Sequence, residues 1–204
     1  EAGLVRAVKE FAGMARSLRI NRAPSIVTAT LRRLDEFKLL GRNLMVVGTN
    51  ALYAYEAVAG VQFDVDLMTT TDVDLLWDAR ATLKLAALDS DVAEAGVLAI
   101  LRKVDRSFEP VNNKGFRAVN KDGFFVDIIK QSPVPPWKTG EPVRIADGDL
   151  TPAELPHIQW LLASEKFKAV VIGQDGQPAP MVCPDPRAFA VYKRWLSEQV
   201  DREP

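Results

Sequence analysis

The stretch MVVGTNALYAYE, residues 45–56, places a glycine and a threonine where an apolar run meets a segment of helical character. The apolar run that ends at Gly48 predicts a short buried strand, and the segment after Asn50 predicts a helix. A glycine allows the backbone to pass close to a ligand, and the unpaired N–H groups at a helix start attract phosphate. The hydroxyl of Thr49 adds one more hydrogen-bond donor, so the junction indicates a phosphate-binding turn.

Two aspartates follow the junction in a second predicted strand, TDVDLLW. Residues two apart on a strand point to the same face, so Asp72 and Asp74 face one way while Val73 and Leu75 face the core. A third aspartate, Asp127, lies inside the apolar run FFVDIIK. A buried, unpaired carboxylate is costly, and a divalent cation shared with the other two aspartates would offset that cost. Oxygen ligands of this kind select magnesium or manganese over zinc.

Together these features resemble the nucleotidyltransferase superfamily of DNA polymerase beta: a strand ending in glycine and a small hydroxyl residue, an Asp-x-Asp strand, and one aspartate on a later strand. The resemblance covers about residues 44–130. The string GTNALYAYE followed by DVDLLWD is similar to a little-characterised bacterial branch of that superfamily, and in outline to the nucleotidyltransferase toxins of abortive-infection systems. It implies an α/β (α+β) fold with a small mixed β-sheet flanked by helices.

The resemblance also implies an activity, the transfer of a nucleoside monophosphate from a nucleoside triphosphate to an acceptor hydroxyl by a two-metal mechanism with magnesium or manganese. The implied catalytic and metal-binding residues are Asp72, Asp74 and Asp127, and the implied nucleotide-binding residues are Gly48, Thr49, Asn50 and Lys193. Asp127 would also help to activate the acceptor hydroxyl. RNA, a protein hydroxyl and a small molecule all remain open as acceptors.

Two features depart from the family pattern. Thr49 stands where serine or glycine is usual, and Asp72 follows Gly48 by 24 positions, which is longer than the common spacing. The sequence FDVDLM offers Asp64 and Asp66 as an alternative pair, and Asp64 follows Gly48 by only 16 positions. We favour the later pair because VDLLW continues as a buried β-rich run, whereas LMTTT is typical of a strand that fades into a turn.

A second functional hypothesis keeps the fold and removes most of the catalysis. A catalytically weak or inactive protein of this kind would act as a regulatory or toxin–antitoxin binding component with a partner protein. A nucleic-acid-binding module without nucleotide chemistry is disfavoured, because 26 basic and 27 acidic side chains leave a formal net charge of −1.

The rest of the chain predicts three segments. Helical spacing predicts N-terminal helices within 1–43, and the core spans 44–131, where FRAVNKDGFFVDIIK indicates a hairpin with its turn at KDG. After the proline-rich QSPVPPWKTGEP, the extension 132–204 contains a hairpin in FKAVVIGQDGQPAPMVC and a closing helix with Asp185 as N-cap.

The small numbers of cysteine and histidine residues limit which cellular compartment and which bound metal the sequence favours. The chain has one cysteine, Cys183, and one histidine, His157, so an intrachain disulfide is excluded and a zinc site of the usual type is disfavoured. A single cysteine is typical of a reducing compartment, and we expect a cytoplasmic protein. No apolar run approaches the length of a membrane span.

Overall fold

The computed structural model describes residues 2–80, 90–112, 115–135, 144, 146 and 148–199. Its helices are α1 (Ala2–Ser17), α2 (Ser25–Glu36), α3 (Ala51–Ala59), α4 (Val65–Met68), α5 (Ser90–Val104), α6 (Gln159–Ala163) and α7 (Pro186–Ser197). Its strands are β1 (Leu44–Val47), β2 (Asp72–Trp77), β3 (Glu109–Pro110), β4 (Arg117–Val119), β5 (Phe125–Gln131), β6 (Ala153–Leu155), β7 (Lys166–Ile172) and β8 (Pro178–Pro184). None of the helices in these ranges is long and apolar enough to cross a membrane.

The central sheet is mixed, which confirms the predicted fold class. Its strand order is β1-β2-β5-β4-β3, and β6 pairs with β5 beside β4. β1 and β2 are antiparallel, β2 and β5 are parallel, and β4 and β5 form the antiparallel hairpin predicted around KDG. The three strands predicted to carry the junction and the aspartates therefore lie side by side in one sheet.

The two faces of the sheet bury different clusters. On one face Val46, Leu75 and Ile128 join a large apolar cluster that also includes residues of α2, α3, α5 and β8. On the other face Met45 and Leu76 pack in a smaller cluster against α6 and α7. Residues two apart on a strand share a face, so Asp72 and Asp74 lie on the second face with Leu76. The smaller cluster covers only part of that face.

The three segments predicted from the sequence share the larger cluster. Leu31 of α2 and Met181 of β8 are both fully buried in it beside Leu75 of the central sheet. The second predicted hairpin is present as β7 and β8. The closing helix begins as predicted, because the side chain of Asp185 accepts a hydrogen bond from the backbone N–H of Arg187.

Several short elements differ from the sequence prediction. The expected strand at the start of LMTTT is wrong, because Leu67 and Met68 belong to the short helix α4, which Asp64 caps by accepting the N–H of Asp66 at 3.0 Å. Asp and Asn side chains favour such local hydrogen bonds over a strand ladder. The sequence also did not predict β3, β6 and α6, which are two to five residues long. Most of the proline-rich connector, residues 136–142, lies outside the described residues.

Helix α5 is interrupted at Gly96, whose φ of 57° and ψ of −132° are not helical. The carboxylate of Asp149 lies where a Cβ would stand on this glycine. It accepts the N–H groups of Val97 at 2.8 Å and Leu98 at 3.0 Å, and it also accepts the N–H of Leu150. Asp149 therefore caps the second half of α5 from a distant part of the chain.

Asp149→Ala should destabilise the protein, because it leaves the N–H groups of Val97 and Leu98 buried without acceptors. The expected loss is about 1–3 kcal/mol in the free energy of unfolding, measured by urea denaturation. Asp35→Ala is the control, since Asp35 is exposed on α2, and it should change stability by less than about 0.5 kcal/mol. Equal stabilities of the two variants would contradict the capping role.

Candidate active site

The three aspartates predicted from the sequence lie on one face of the sheet. Asp74 and Asp127 are register partners on the parallel strands β2 and β5, and Asp72 lies two positions before Asp74. Neighbouring strands are about 4.8 Å apart, so the two register partners are close neighbours. Asp127 is buried, with 5% of its surface exposed, whereas Asp72 and Asp74 are partly exposed.

Gly48 lies directly against Asp74. Its φ is +69°, and a Cβ added there would collide with Oδ2 of Asp74. Val47 is the register partner of Asp74, so the chain turns away from β1 immediately beside this carboxylate. Only glycine satisfies both conditions, the left-handed backbone and the close approach. The glycine at the junction therefore makes room for Asp74 as well as for the turn.

The turn after Gly48 directs its N–H groups in two ways. Those of Ala51, Leu52 and Tyr53 donate to carbonyl groups three residues earlier. Those of Thr49 and Asn50 donate to no backbone acceptor in the described part of the chain. Two donors at the start of a helix, next to a carboxylate pair, suit the phosphate groups of a metal-bound nucleotide.

The side chain of Asn50 is turned inward. Asn50 is 1% exposed, and its Nδ2 donates to the backbone carbonyl of Asp72 at 2.6 Å. Its Oδ1 is buried with no hydrogen-bond partner among the described residues. Asn50 thus connects the junction to β2, and its side chain acts on Asp72 rather than projecting into solvent.

Asp127 is not the unpaired carboxylate that the sequence indicated. Arg117, its register partner on β4, donates from Nε to Oδ1 at 2.7 Å and from Nη2 to Oδ2 at 2.6 Å. This two-bond fork supplies the compensation that we had assigned to a shared cation. Arg117 was not among the residues predicted from the sequence, because a buried acid can be compensated by an arginine on a neighbouring strand as well as by a metal ion.

The position of Arg117 could have been found from the hairpin. The pairs Val119 with Phe125 and Arg117 with Asp127 are both centred on Asp122, in the middle of the KDG turn. Counting outward from that turn places an arginine opposite the buried aspartate. The KDG turn therefore predicts that Arg117 pairs with Asp127, provided that the two strands pair symmetrically about the turn.

Charges around Asp74 set its protonation. Burial first, and then the neighbouring carboxylates of Asp72 and Asp127, raise the pKa of Asp74 to about 6, while Lys193 and Arg117 act in the opposite direction. Lys193 on α7 is therefore within electrostatic reach of Asp74, and its role in nucleotide binding stays a prediction. Its Nζ also lies 5.6 Å from the ring centroid of Phe189.

Asp64 and Asp66 do not join the three aspartates. Both are exposed, and they lie at the start of α4 rather than on the sheet. Asp72 is instead linked to the segment between α4 and β2, because the hydroxyl of Thr70 donates to its carboxylate. The geometry thus favours Asp72 and Asp74 as the pair beside Gly48.

A divalent cation fits the pair better than the triad. Asp72 and Asp74 offer hard oxygen ligands on one face, and neither has a salt-bridge partner among the described residues. Asp127 does not fit in the same way, because Arg117 occupies both of its oxygens. In the described residues no group of three or more acidic, histidine or cysteine side chains is arranged to hold a metal ion.

Comparison with protein families gives one finding. A family described as nucleotidyltransferase matches residues 25–204, which contain every candidate site residue named above. No curated protein and no solved structure matches the chain.

Gly48→Ala should be more destabilising than Gly60→Ala. Both glycines have a φ near +66° to +69°, but a Cβ at Gly60 meets open space whereas one at Gly48 meets Asp74. We expect Gly48→Ala to cost at least about 1 kcal/mol more in urea denaturation. Adding Asp74→Ala to Gly48→Ala should remove this excess, and an excess that persists would show that Asp74 is not its cause.

The metal-free chain should lose stability as the pH rises through the titration of Asp74. The folded pKa of about 6 exceeds the ordinary value of 3.8, so the folded state holds the proton more tightly. The contribution of Asp74 is present below about pH 4 and is lost by about pH 7, by up to about 3 kcal/mol. Urea denaturation in EDTA should show the stability difference between wild type and Asp74→Asn changing across this window. Parallel curves of stability against pH for wild type and Asp74→Asn would contradict this prediction.

Proposed function

The chain belongs to this nucleotidyltransferase family, and we propose that it transfers a nucleoside monophosphate from a nucleoside triphosphate to an acceptor hydroxyl. The observation that supports this most is the contact between Gly48 and the carboxylate of Asp74, beside the two open N–H groups of the turn. In this proposal the turn binds phosphate and the adjacent carboxylates bind the cation, so the two would lie side by side.

Different residues of the site bind different parts of the metal–nucleotide complex. The N–H groups of Thr49 and Asn50 bind phosphate oxygens of the triphosphate, and Lys193 approaches the same charge from α7. Asp72 and Asp74 hold magnesium or manganese, which when bound neutralises phosphate charge and acts as a Lewis acid. Backbone amides and a lysine together orient the triphosphate without contacting its base.

The reaction is an in-line substitution at the α-phosphorus. The acceptor oxygen forms a bond to phosphorus, the bond to the bridging oxygen breaks, and pyrophosphate leaves with that electron pair. The proton of the acceptor hydroxyl passes to a carboxylate of the site. Asp127 is our candidate, because its fork to Arg117 uses two of about four lone-pair positions and leaves others for a proton.

The two-metal form expected from the sequence adds a requirement. Asp127 can ligate a second ion only if Arg117 releases at least one of its oxygens.

The same fork favours the alternative function, a catalytically weak or inactive protein that acts as a regulatory or toxin–antitoxin binding component. In that case the nucleotide would bind at the turn and transfer would be absent, so a transfer measurement separates the two.

Transfer should be visible when the protein is incubated with each labelled triphosphate, magnesium and cell extract. The labelled species then identifies the acceptor class, whether RNA, protein or small molecule. The double variant Asp72→Asn/Asp74→Asn should reduce transfer at least about 100-fold, because it removes the cation ligands. The matched double variant Asp64→Asn/Asp66→Asn should retain wild-type transfer. A bound triphosphate that is never transferred to any component would favour the binding protein.

Lys193→Ala should weaken nucleotide binding without unfolding the protein, because Lys193 is exposed and within reach of Asp74. We expect the triphosphate concentration that half-saturates thermal stabilisation in magnesium to rise about five- to tenfold, as for one lost charge-assisted hydrogen bond. Arg194→Ala is the control, since Arg194 is the adjacent exposed cation and pairs with Glu198. Equal effects of both variants would indicate a general loss of positive charge instead.

A further inference from the structure

The register of the sheet places Arg117 opposite Asp127. The two residues are register partners on antiparallel strands, and the fork closes with bonds of 2.6 and 2.7 Å. Asp127 is in turn the register partner of Asp74 on the other side. Asp74, Asp127 and Arg117 therefore form one row across three adjacent strands, with the positive charge at its end.

Two aromatic rings hold the guanidinium in that position. Its Cζ lies 4.8 Å from the ring centroid of Phe125 and 5.5 Å from that of Phe116. Phe125 is two positions before Asp127 on β5 and therefore shares its face. Contacts with aromatic rings and a planar fork restrict an arginine far more than a single surface ion pair does. The arginine is built into the site rather than resting against it.

A second cation at Asp127 would meet this guanidinium directly. A magnesium ligand lies about 2.1 Å from its ion, so an ion on either oxygen of Asp127 would come close to a fixed positive charge. Both oxygens already accept an N–H group of Arg117. Asp72 and Asp74, by contrast, have no such cation bonded to them among the described residues.

We propose that Arg117 takes the place of the second metal ion, so that the site holds one divalent cation, at Asp72 and Asp74. Arg117 neutralises Asp127 and fixes the direction of its carboxylate. Its Nη1 donates to no acceptor in the described part of the chain, and its side chain is 36% exposed. That nitrogen remains available for an oxygen of the phosphate under attack.

This inference rests on the proposed function for the purpose of the ion, but the number of ions is measured without any transfer. The probe is Mn²⁺ with each of the α,β-methylene analogues of ATP, GTP, CTP and UTP in turn, which cannot be cleaved at the reacting bond. Frozen-solution EPR distinguishes the cases, because two ions about 3.5–4 Å apart couple magnetically and a single ion does not. Equilibrium dialysis supplies the number of ions per chain.

Wild type should hold one uncoupled Mn²⁺ per chain. Arg117→Ala should hold two coupled ions, because Asp127 is then free to ligate, and Arg117→Gln should behave alike while retaining an N–H donor. Arg117→Lys keeps the charge and should remain at one ion. Circular dichroism establishes that each variant folds, and Arg117→Gln carries the comparison if Arg117→Ala does not.

Arg80→Ala is the matched control for the loss of an arginine fork. Arg80 donates to both oxygens of Asp78, at 2.8 and 2.9 Å, just beyond the opposite end of β2 from Asp72. This variant should bind one ion, as wild type does. A second ion in Arg80→Ala would attribute the effect to general charge loss and overturn the proposal.

Two outcomes separate this proposal from the proposed function. A coupled pair in wild type, or a single ion in both Arg117→Ala and Arg117→Gln, overturns the one-cation site and leaves nucleotide transfer standing. A wild-type chain that binds no Mn²⁺ with any of the four analogues overturns both proposals.

Discussion

The fork between Arg117 and Asp127 balances the most deeply buried acid on the carboxylate face of the sheet. Asp74 and Asp127 are register neighbours, and without a nearby cation their repulsion would add to the cost of burying both. The guanidinium of Arg117 in the same row offsets that cost at Asp127, to which it donates two hydrogen bonds. The other two carboxylates can then lie beside Gly48 at the open part of the face, where a metal-bound phosphate could approach them.

The two faces of the sheet have different roles: one forms the main apolar core and the other carries the candidate site. One face buries Val46, Leu75 and Ile128 in the larger cluster, which carries most of the apolar core. The other is shared, because α6 and α7 cover only the part around Leu76. Helix α7 links the two roles, since Tyr192 packs in that smaller cluster while the charge of Lys193 acts to lower the pKa of Asp74. The C-terminal extension is therefore part of the site's architecture.

Two features that suit the proposed chemistry, at Gly48 and Asp74, lower the stability of the metal-free fold. Gly48 holds a left-handed conformation, and Asp74 carries a raised pKa because burial and two neighbouring acids disfavour its charge. Such local strain and repulsion persist only where surrounding structure over-determines them. Here the apolar strands on either side provide that support, and a bound cation would convert the repulsion at Asp72 and Asp74 into attraction.

The sequence by itself determined β1, β2 and β5, the glycine turn and the common face of Asp72 and Asp74, because a period of two and the conformational freedom of glycine are local properties of the chain. Only the tertiary structure decided that Asp127 is paired, because the partner of a buried charge depends on strand register and on which strands are adjacent. It also decided that FDVDLM is a capped helix and that Lys193 lies near Asp74. Short apolar runs resemble strands and helices alike, and contacts between distant residues form only when the chain folds.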